Sequence, residues 1–197
     1  MPHQLDAVAA SPWILAVVFV VAGLDALLPF MPSESTVVAC GVVAAGTGRP
    51  HLALLIAVAA AGAWVGDAVS FRIGRRSTES VAARLTHRRA KAVHDWVQRL
   101  LTSRGGLVVV FARYVPGGRS TTALAAGLVG YPSVRFHWYT AAGVVLWSIQ
   151  AALIGYLGGA LFAGHPVLGF LLACGMALAV TGIAVLVQST ANRVPAP

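Results

Sequence analysis

The sequence predicts an all-α membrane protein: an inverted repeat with two opposed re-entrant helical hairpins, about four transmembrane helices and a cytoplasmic amphipathic helix. Three observations lead there. Hydrophobic residues make up 58% of the 197 residues and charged ones only 10%, with a mean hydropathy of +0.80, which excludes a soluble domain of ordinary composition. Nine of the fourteen Lys and Arg residues lie between Arg72 and Arg104, between apolar regions, as expected of a cytoplasmic segment under the positive-inside rule. Finally, Pro32-Ser33-Glu34-Ser35-Thr36 is approximately repeated as Pro116-Gly117-Gly118-Arg119-Ser120-Thr121, each followed by a helix of small residues, a Gly and a Pro.

The elements follow in order. A first helix is predicted over residues 12–28, read as uncleaved because no Lys or Arg precedes it, Asp6 is acidic and further spans follow. Pro29 and Pro32 remove backbone donors and break that helix. Ser33 or Ser35 then caps a short helix that runs to about Gly46 and ends at Gly48-Arg49-Pro50. The stretch 51–73 is long enough to cross. Val81, Leu85, Val93, Trp96, Val97 and Leu100 recur at helical spacing among arginines, giving either an amphipathic helix on the membrane surface or a solvated linker over 77–103. After Gly105-Gly106 an apolar arm leads to Pro116, and a second arm continues to Gly130-Tyr131-Pro132. Spans at about 134–160 and 167–188 follow, divided at Gly164-His165-Pro166.

Charge placement bears on topology. If residues 105–130 cross fully, Arg135 and Arg193 both fall outside; if they dip in and return, both stay inside, which obeys the positive-inside rule better. The alternative is a kinked full span. By analogy the first broken segment enters from the opposite face. The chain then forms one membrane domain over 1–197, with a first repeat at about 24–76 (hairpin 26–48), the linker helix 77–103, a second repeat at about 105–160 (hairpin 105–130) and a C-terminal helix at 166–188. Both termini and the basic segment 72–104 are expected to be cytoplasmic.

Within this apolar chain, Phe111-Ala112-Arg113-Tyr114-Val115-Pro116-Gly117-Gly118-Arg119 is the costly feature. An arginine at the bilayer centre costs ~3 kcal/mol and faces a cavity, a partner charge or a substrate. Arg113 and Arg119 are six residues apart, so one continuous helix would turn them about 240° from one another. A hairpin tip at Pro116-Gly117-Gly118 puts each on its own arm, free to address one ligand. Gly117 and Gly118 let backbone N–H groups approach an anion, and a helix starting near Ser120 adds its positive end. Arginine suits phosphate through its planar pair of donors. Of the six acidic residues, Asp25, Glu34 and Asp67 fall in membrane segments. Either Glu34 and Asp25 pair structurally with Arg113 and Arg119, or these carboxylates exchange protons and so regulate the arginines.

Other chemistry is disfavoured. The net charge of +8 belongs to topology rather than nucleic acid, since no soluble domain remains to fold around a polynucleotide. Cys40 and Cys174 sit in apolar surroundings and support neither a disulfide nor a metal site, and no metal, cofactor or nucleophile-elbow signature is present. Gly62, Gly66, Gly155, Gly158 and Gly159 read as sites of close helix packing.

The chain resembles the DedA family of membrane proteins, also called the VTT domain family. The resemblance rests on Pro29-Phe30-Met31-Pro32-Ser33-Glu34, Gly66-Asp67 with Phe71-Arg72-Ile73-Gly74-Arg75, the Phe111-to-Arg119 run and Ala126-Gly127, and covers about residues 20–160. It implies opposed re-entrant hairpins and a non-enzymatic role in moving lipids between leaflets of the inner membrane. Bacterial members are associated with recycling undecaprenyl or related polyprenyl phosphate for the cell envelope, with phospholipid flipping and with the proton motive force. Glu34, Arg113 and Arg119 carry over, and with them Asp25 and Asp67, though Asp67 could serve packing. The expected function is a proton-coupled flippase of polyprenyl phosphate, with lipid and protons as partners and a homo-oligomer compatible with that role. The alternatives are a phospholipid scramblase and a non-transporting scaffold with structural charge pairs; a lipid phosphatase lacks a recognisable nucleophile and base.

Overall fold

Six α-helices and one 3-10 turn account for the regular structure among the described residues of the computed structural model, which are 12–28, 33–78, 88–114, 118–161 and 175. We number them α1 (Pro12–Leu24), α2 (Ser33–Thr47), α3 (Leu52–Arg76), α4 (Arg88–Phe111), α5 (Gly118–Leu128) and α6 (Ser133–Leu161). The 3-10 turn, Ala112–Tyr114, follows α4 directly. Pro29, Pro32, Pro116, Gly117 and the expected C-terminal helix lie outside the described residues. α3 and α6 are long and apolar enough to cross a membrane; at 1.5 Å per residue their 25 and 29 residues exceed the ~30 Å hydrocarbon thickness.

Helix boundaries follow local chemistry. α1 opens on Pro12, which fits a first turn, and stops four residues short of expectation. There the backbone tightens: Leu27 N donates to Leu24 O at 2.8 Å and Ala26 N to Gly23 O at 3.3 Å. Gly48, at φ +70°, ends α2. α5 ends in a Schellman motif, with Tyr131 N donating to Ala126 O at 2.9 Å, Gly130 N to Gly127 O at 3.1 Å, and Gly130 at φ +69°. One expectation fails here. Gly105-Gly106 do not divide an amphipathic helix from a hairpin arm, because α4 runs through both. A Cβ at Gly105 would meet the Tyr131 hydroxyl at 2.6 Å, and one at Gly106 the Tyr139 ring at 2.6 Å. These glycines make room for tyrosines rather than break the helix, whose hydrogen bonds outweigh a helix-propensity cost of ~1 kcal/mol each.

The packing is reciprocal. α3 and α6 lie against each other; α1 packs on α3 and α4 on α6; α2 crosses to α6 and α5 crosses to α3. Four glycines lock the two crossings. A Cβ at Gly155 would run into the Val38 carbonyl and one at Gly41 into the Ala152 carbonyl; at the other crossing, Gly74 meets the Leu124 carbonyl and Gly127 the Phe71 carbonyl. Gly41 follows Val38 at the same interval as Gly127 follows Leu124, and Gly155 follows Ala152 as Gly74 follows Phe71. In the register that superposes the two locks, Asp67 corresponds to Ser148. Gly62 and Gly66 likewise admit the α1 carbonyls of Phe19 and Gly23, the close packing expected of small residues in membrane helices.

Two apolar clusters surround this framework. One joins α1, α2, α3 and α6 through Val18, Val37, Val38, Leu55, Ala59 and Trp147. The other joins α3, α4, α5 and α6 around Phe71 and Phe136, whose rings stack at 4.4 Å. Charged residues meet in the same interior.

Candidate functional site

Asp67 projects from the middle of α3 and is 2% exposed. Gly66 beside it lets α1 approach, so the carboxylate is enclosed by helices on either side. Its Oδ2 accepts from Arg113 Nη2 and its Oδ1 accepts from Arg119 Nε at 2.6 Å. The two arginines therefore converge on one carboxylate despite their spacing. They do so because the 3-10 turn ends the α4 arm at Arg113, whereas Arg119 stands in the first turn of α5.

The two arginines are held differently. Arg119 Nη1 donates to Asp25 Oδ2 at 3.1 Å, and its Nη2 donates to the carbonyls of Ala22 at 3.1 Å and Ala63 at 2.8 Å. With the bond to Asp67 it makes four contacts from a group with five N–H donors, tying α5 to α1 and α3. Among the described residues Arg113 has a single partner, Asp67, with both side chains 3% exposed. Its Nε is buried and has no hydrogen-bond partner among the described residues, and it packs against α6 where Gly143 leaves space.

Asp25 extends the network in the turn after α1. Ser33 Oγ, at the start of α2, donates to Asp25 Oδ2 at 2.8 Å, and Ser120 Oγ donates to the Asp25 carbonyl at 3.2 Å. One acid thus receives a residue from each broken segment. Next to Arg113, Tyr114 Oη donates to Gln150 Oε1 of α6 at 3.1 Å. Glu34 sits in the first turn of α2, half-buried, and forms no ion pair with a described residue.

Compared with the sequence expectation, the structure brings Arg113, Arg119, Asp25, Asp67 and Ser120 together. Gly118 opens α5; Gly117 and the three prolines lie outside the described residues. Asp67, for which packing was one reading, is the shared ion partner. Glu34 lacks the arginine contact that one reading gave it. Sequence reasoning missed Ser33, Tyr114, Gln150 and the carbonyls of Ala22 and Ala63.

Two guanidiniums and two carboxylates cancel formally, as an apolar interior demands. Chemically the arrangement is an anion site already occupied by an internal anion. A depression of about 260 Å³ adjoins it, lined by Ala26, Ser70, Ser120 and Thr121 among others. No group of three or more His, Cys, Asp or Glu suited to a metal occurs among the described residues.

Residues 31–157 match the model of the VTT domain. The chain is 27% identical over 164 residues to Protein DedA of Escherichia coli, covering 80% of this chain and 74% of that protein. It is 31% identical over 149 residues to the inner membrane protein YqjA of the same organism, covering 73% and 66%. Similarity extends to an uncharacterized membrane protein of Mycobacterium tuberculosis, at 29% over 153 residues, covering 77% and 66%. No solved structure matches the chain.

Proposed function

Because the chain belongs to the VTT domain family, the DedA family of membrane proteins, we propose that it carries a polyprenyl phosphate lipid across the inner membrane and couples that movement to protons. The observation that carries the reading is the meeting of Arg113 and Arg119 on one buried carboxylate, with Arg113 Nε left over as a free donor. A carboxylate and a phosphate present similar paired acceptors to a guanidinium. Asp67 therefore stands where a phosphate group would bind, and the substrate binds by exchange.

In this mechanism Arg113 takes the phosphate, since among the described residues it has one partner to give up and its Nε is unused. Arg119 contributes the facing charge while its carbonyl contacts hold α5 in place, and Gly118 and Ser120 stand beside it in the first turn of α5. Exchange leaves Asp67 without its counter-charges in a low-dielectric interior, where a carboxylate gains by taking up a proton. A proton thus enters with the phosphate and leaves when Asp67 recovers the arginines. Glu34 and Asp25 are the nearby carboxylates suited to deliver it, Asp25 by its bond to Arg119 and Glu34 by its place at the start of α2. The isoprenoid tail stays in lipid. No bond is broken, so the role is not enzymatic.

The reciprocal crossings of α2 on α6 and α5 on α3 support an inverted repeat whose two re-entrant hairpins meet near the midplane. With the basic segment 72–104 on the cytoplasmic side, each hairpin opens to one leaflet. Competing readings are a scramblase with broader headgroup tolerance and a scaffold; the extensive protein contacts of Arg119 favour a structural share for that residue alone. Binding of a short-chain polyprenyl phosphate to the detergent-solubilised protein tests the proposal. Arg113→Ala abolishes binding if the site is correct, and full affinity in that variant rejects it.

A further inference from the structure

A second cation stands in apolar surroundings, away from the arginine cluster. On the opposite face of α3 from Asp67, a groove of about 550 Å³ runs between α3 and the first turns of α6, with Trp64, Val69, Arg72, Val134, His137 and Trp138 among its lining. It opens to the surroundings: Trp138 is 74% and Val134 69% exposed. None of its described lining residues is acidic. Arg72 forms no ion pair with a described residue, although it lies within electrostatic range of His137. The imidazole is wedged against the Trp64, Phe71 and Phe136 rings at 5.4, 6.1 and 5.7 Å, and its Nδ1 is buried with no hydrogen-bond partner among the described residues.

We infer that this groove binds an anionic phospholipid from the leaflet on the basic side of the protein, phosphate on Arg72 and one acyl chain along Val69, Val134 and Trp138. Charge complementarity selects the occupant. An arginine without a counter-ion among the described residues is satisfied by a phosphate ester, whereas the other described residues lining the groove, His137 apart, offer only apolar contact. The level is suitable as well: Arg72 lies in the last turns of α3 with Arg75 and Arg76 beyond it, and Arg135 in the first turn of α6. That band of positive charge belongs at the headgroups of an anionic leaflet. This groove is separate from the Asp67 site and does not depend on the transport reading.

Trp138 supplies the probe. The full chain is reconstituted in phosphatidylcholine vesicles containing increasing fractions of bromine-labelled phosphatidylglycerol or bromine-labelled phosphatidylcholine. The share of fluorescence quenching due to Trp138 is taken as the difference from Trp138→Phe. A basic residue beside an anionic headgroup is worth about fivefold in affinity, so half-quenching by the anionic lipid should come at about one-fifth the mole fraction needed for the neutral one. Arg72→Gln should bring the two curves together, while Arg72→Lys and Arg76→Gln keep them apart. Coincident curves in the unaltered protein, as bulk lipid or a cover formed by another part of the chain would give, overturn the inference. So does a preference that survives Arg72→Gln or vanishes equally in Arg76→Gln.

Discussion

Replacing Asp67 with Asn should weaken the fold and tighten phosphate binding at once. The substitution keeps the size of the side chain and removes the charge that both arginines share. Arg119 retains Asp25 and the carbonyls of Ala22 and Ala63, so most of the loss falls on Arg113, left buried with only a neutral amide oxygen. Removing one member of a buried ion pair costs about 3–5 kcal/mol, because the other charge stays uncompensated. Removing both relieves that charge, so Asp67→Asn with Arg113→Gln should be less destabilised than the sum of the single changes by at least about 1.5 kcal/mol. Reversible unfolding in mixed micelles, followed by tryptophan emission, measures these differences. Polyprenyl phosphate titrated onto the same variants measures the other effect. With the internal competitor gone, Asp67→Asn should bind about tenfold tighter or better, equivalent to 1.4 kcal/mol or more. A variant that is both stable to within about 1 kcal/mol of the parent and unchanged in affinity would refute the exchange argument.

Other perturbations separate the roles of neighbouring residues. Arg119→Ala should destabilise the protein more than Arg113→Ala, since it breaks four contacts across three helices; comparative thermal unfolding checks the order. Gly74→Ala and Gly155→Ala should cost similar amounts, about 1–3 kcal/mol each, because each inserts a methyl into the equivalent carbonyl lock; micelle unfolding titrations read the pair. Tyr114→Phe should cost about 1 kcal/mol for the lost bond to Gln150 while phosphate-lipid affinity holds. Glu34→Gln should flatten the pH dependence of transport, and a full pH profile in that variant would remove Glu34 from the coupling path.

Much of the fold was legible because helix ends are local. Pro12, Ser33, the Gly48-Arg49-Pro50 stop and the Gly130-Tyr131-Pro132 stop fix their boundaries through backbone chemistry in adjacent residues, and the structure places helix ends there. Gly105-Gly106 misled because a glycine pair signals a break or a close contact equally well. Only the tyrosines of a distant segment decide between them. The same reasoning explains the site. The incompatibility of Arg113 and Arg119 with one continuous helix follows from their spacing, and it pointed to a shared ligand. Which carboxylate they share depends on how α3 passes between α1 and α5, a long-range outcome that no local pattern encodes. The glycines that bring those helices together were visible as packing residues, but not the carbonyls they meet.

The central claim is that Arg113 and Asp67 form an exchange site for a phosphate lipid rather than a fixed structural pair. It is tested most directly by transport of a labelled polyprenyl phosphate in proteoliposomes under an imposed pH gradient, comparing the parent with Asp67→Asn. The account predicts gradient-dependent movement in the parent and, in the variant, lipid that binds but no longer moves with the proton gradient. Unaltered gradient-driven transport by Asp67→Asn, or no transport by the folded parent, would contradict it.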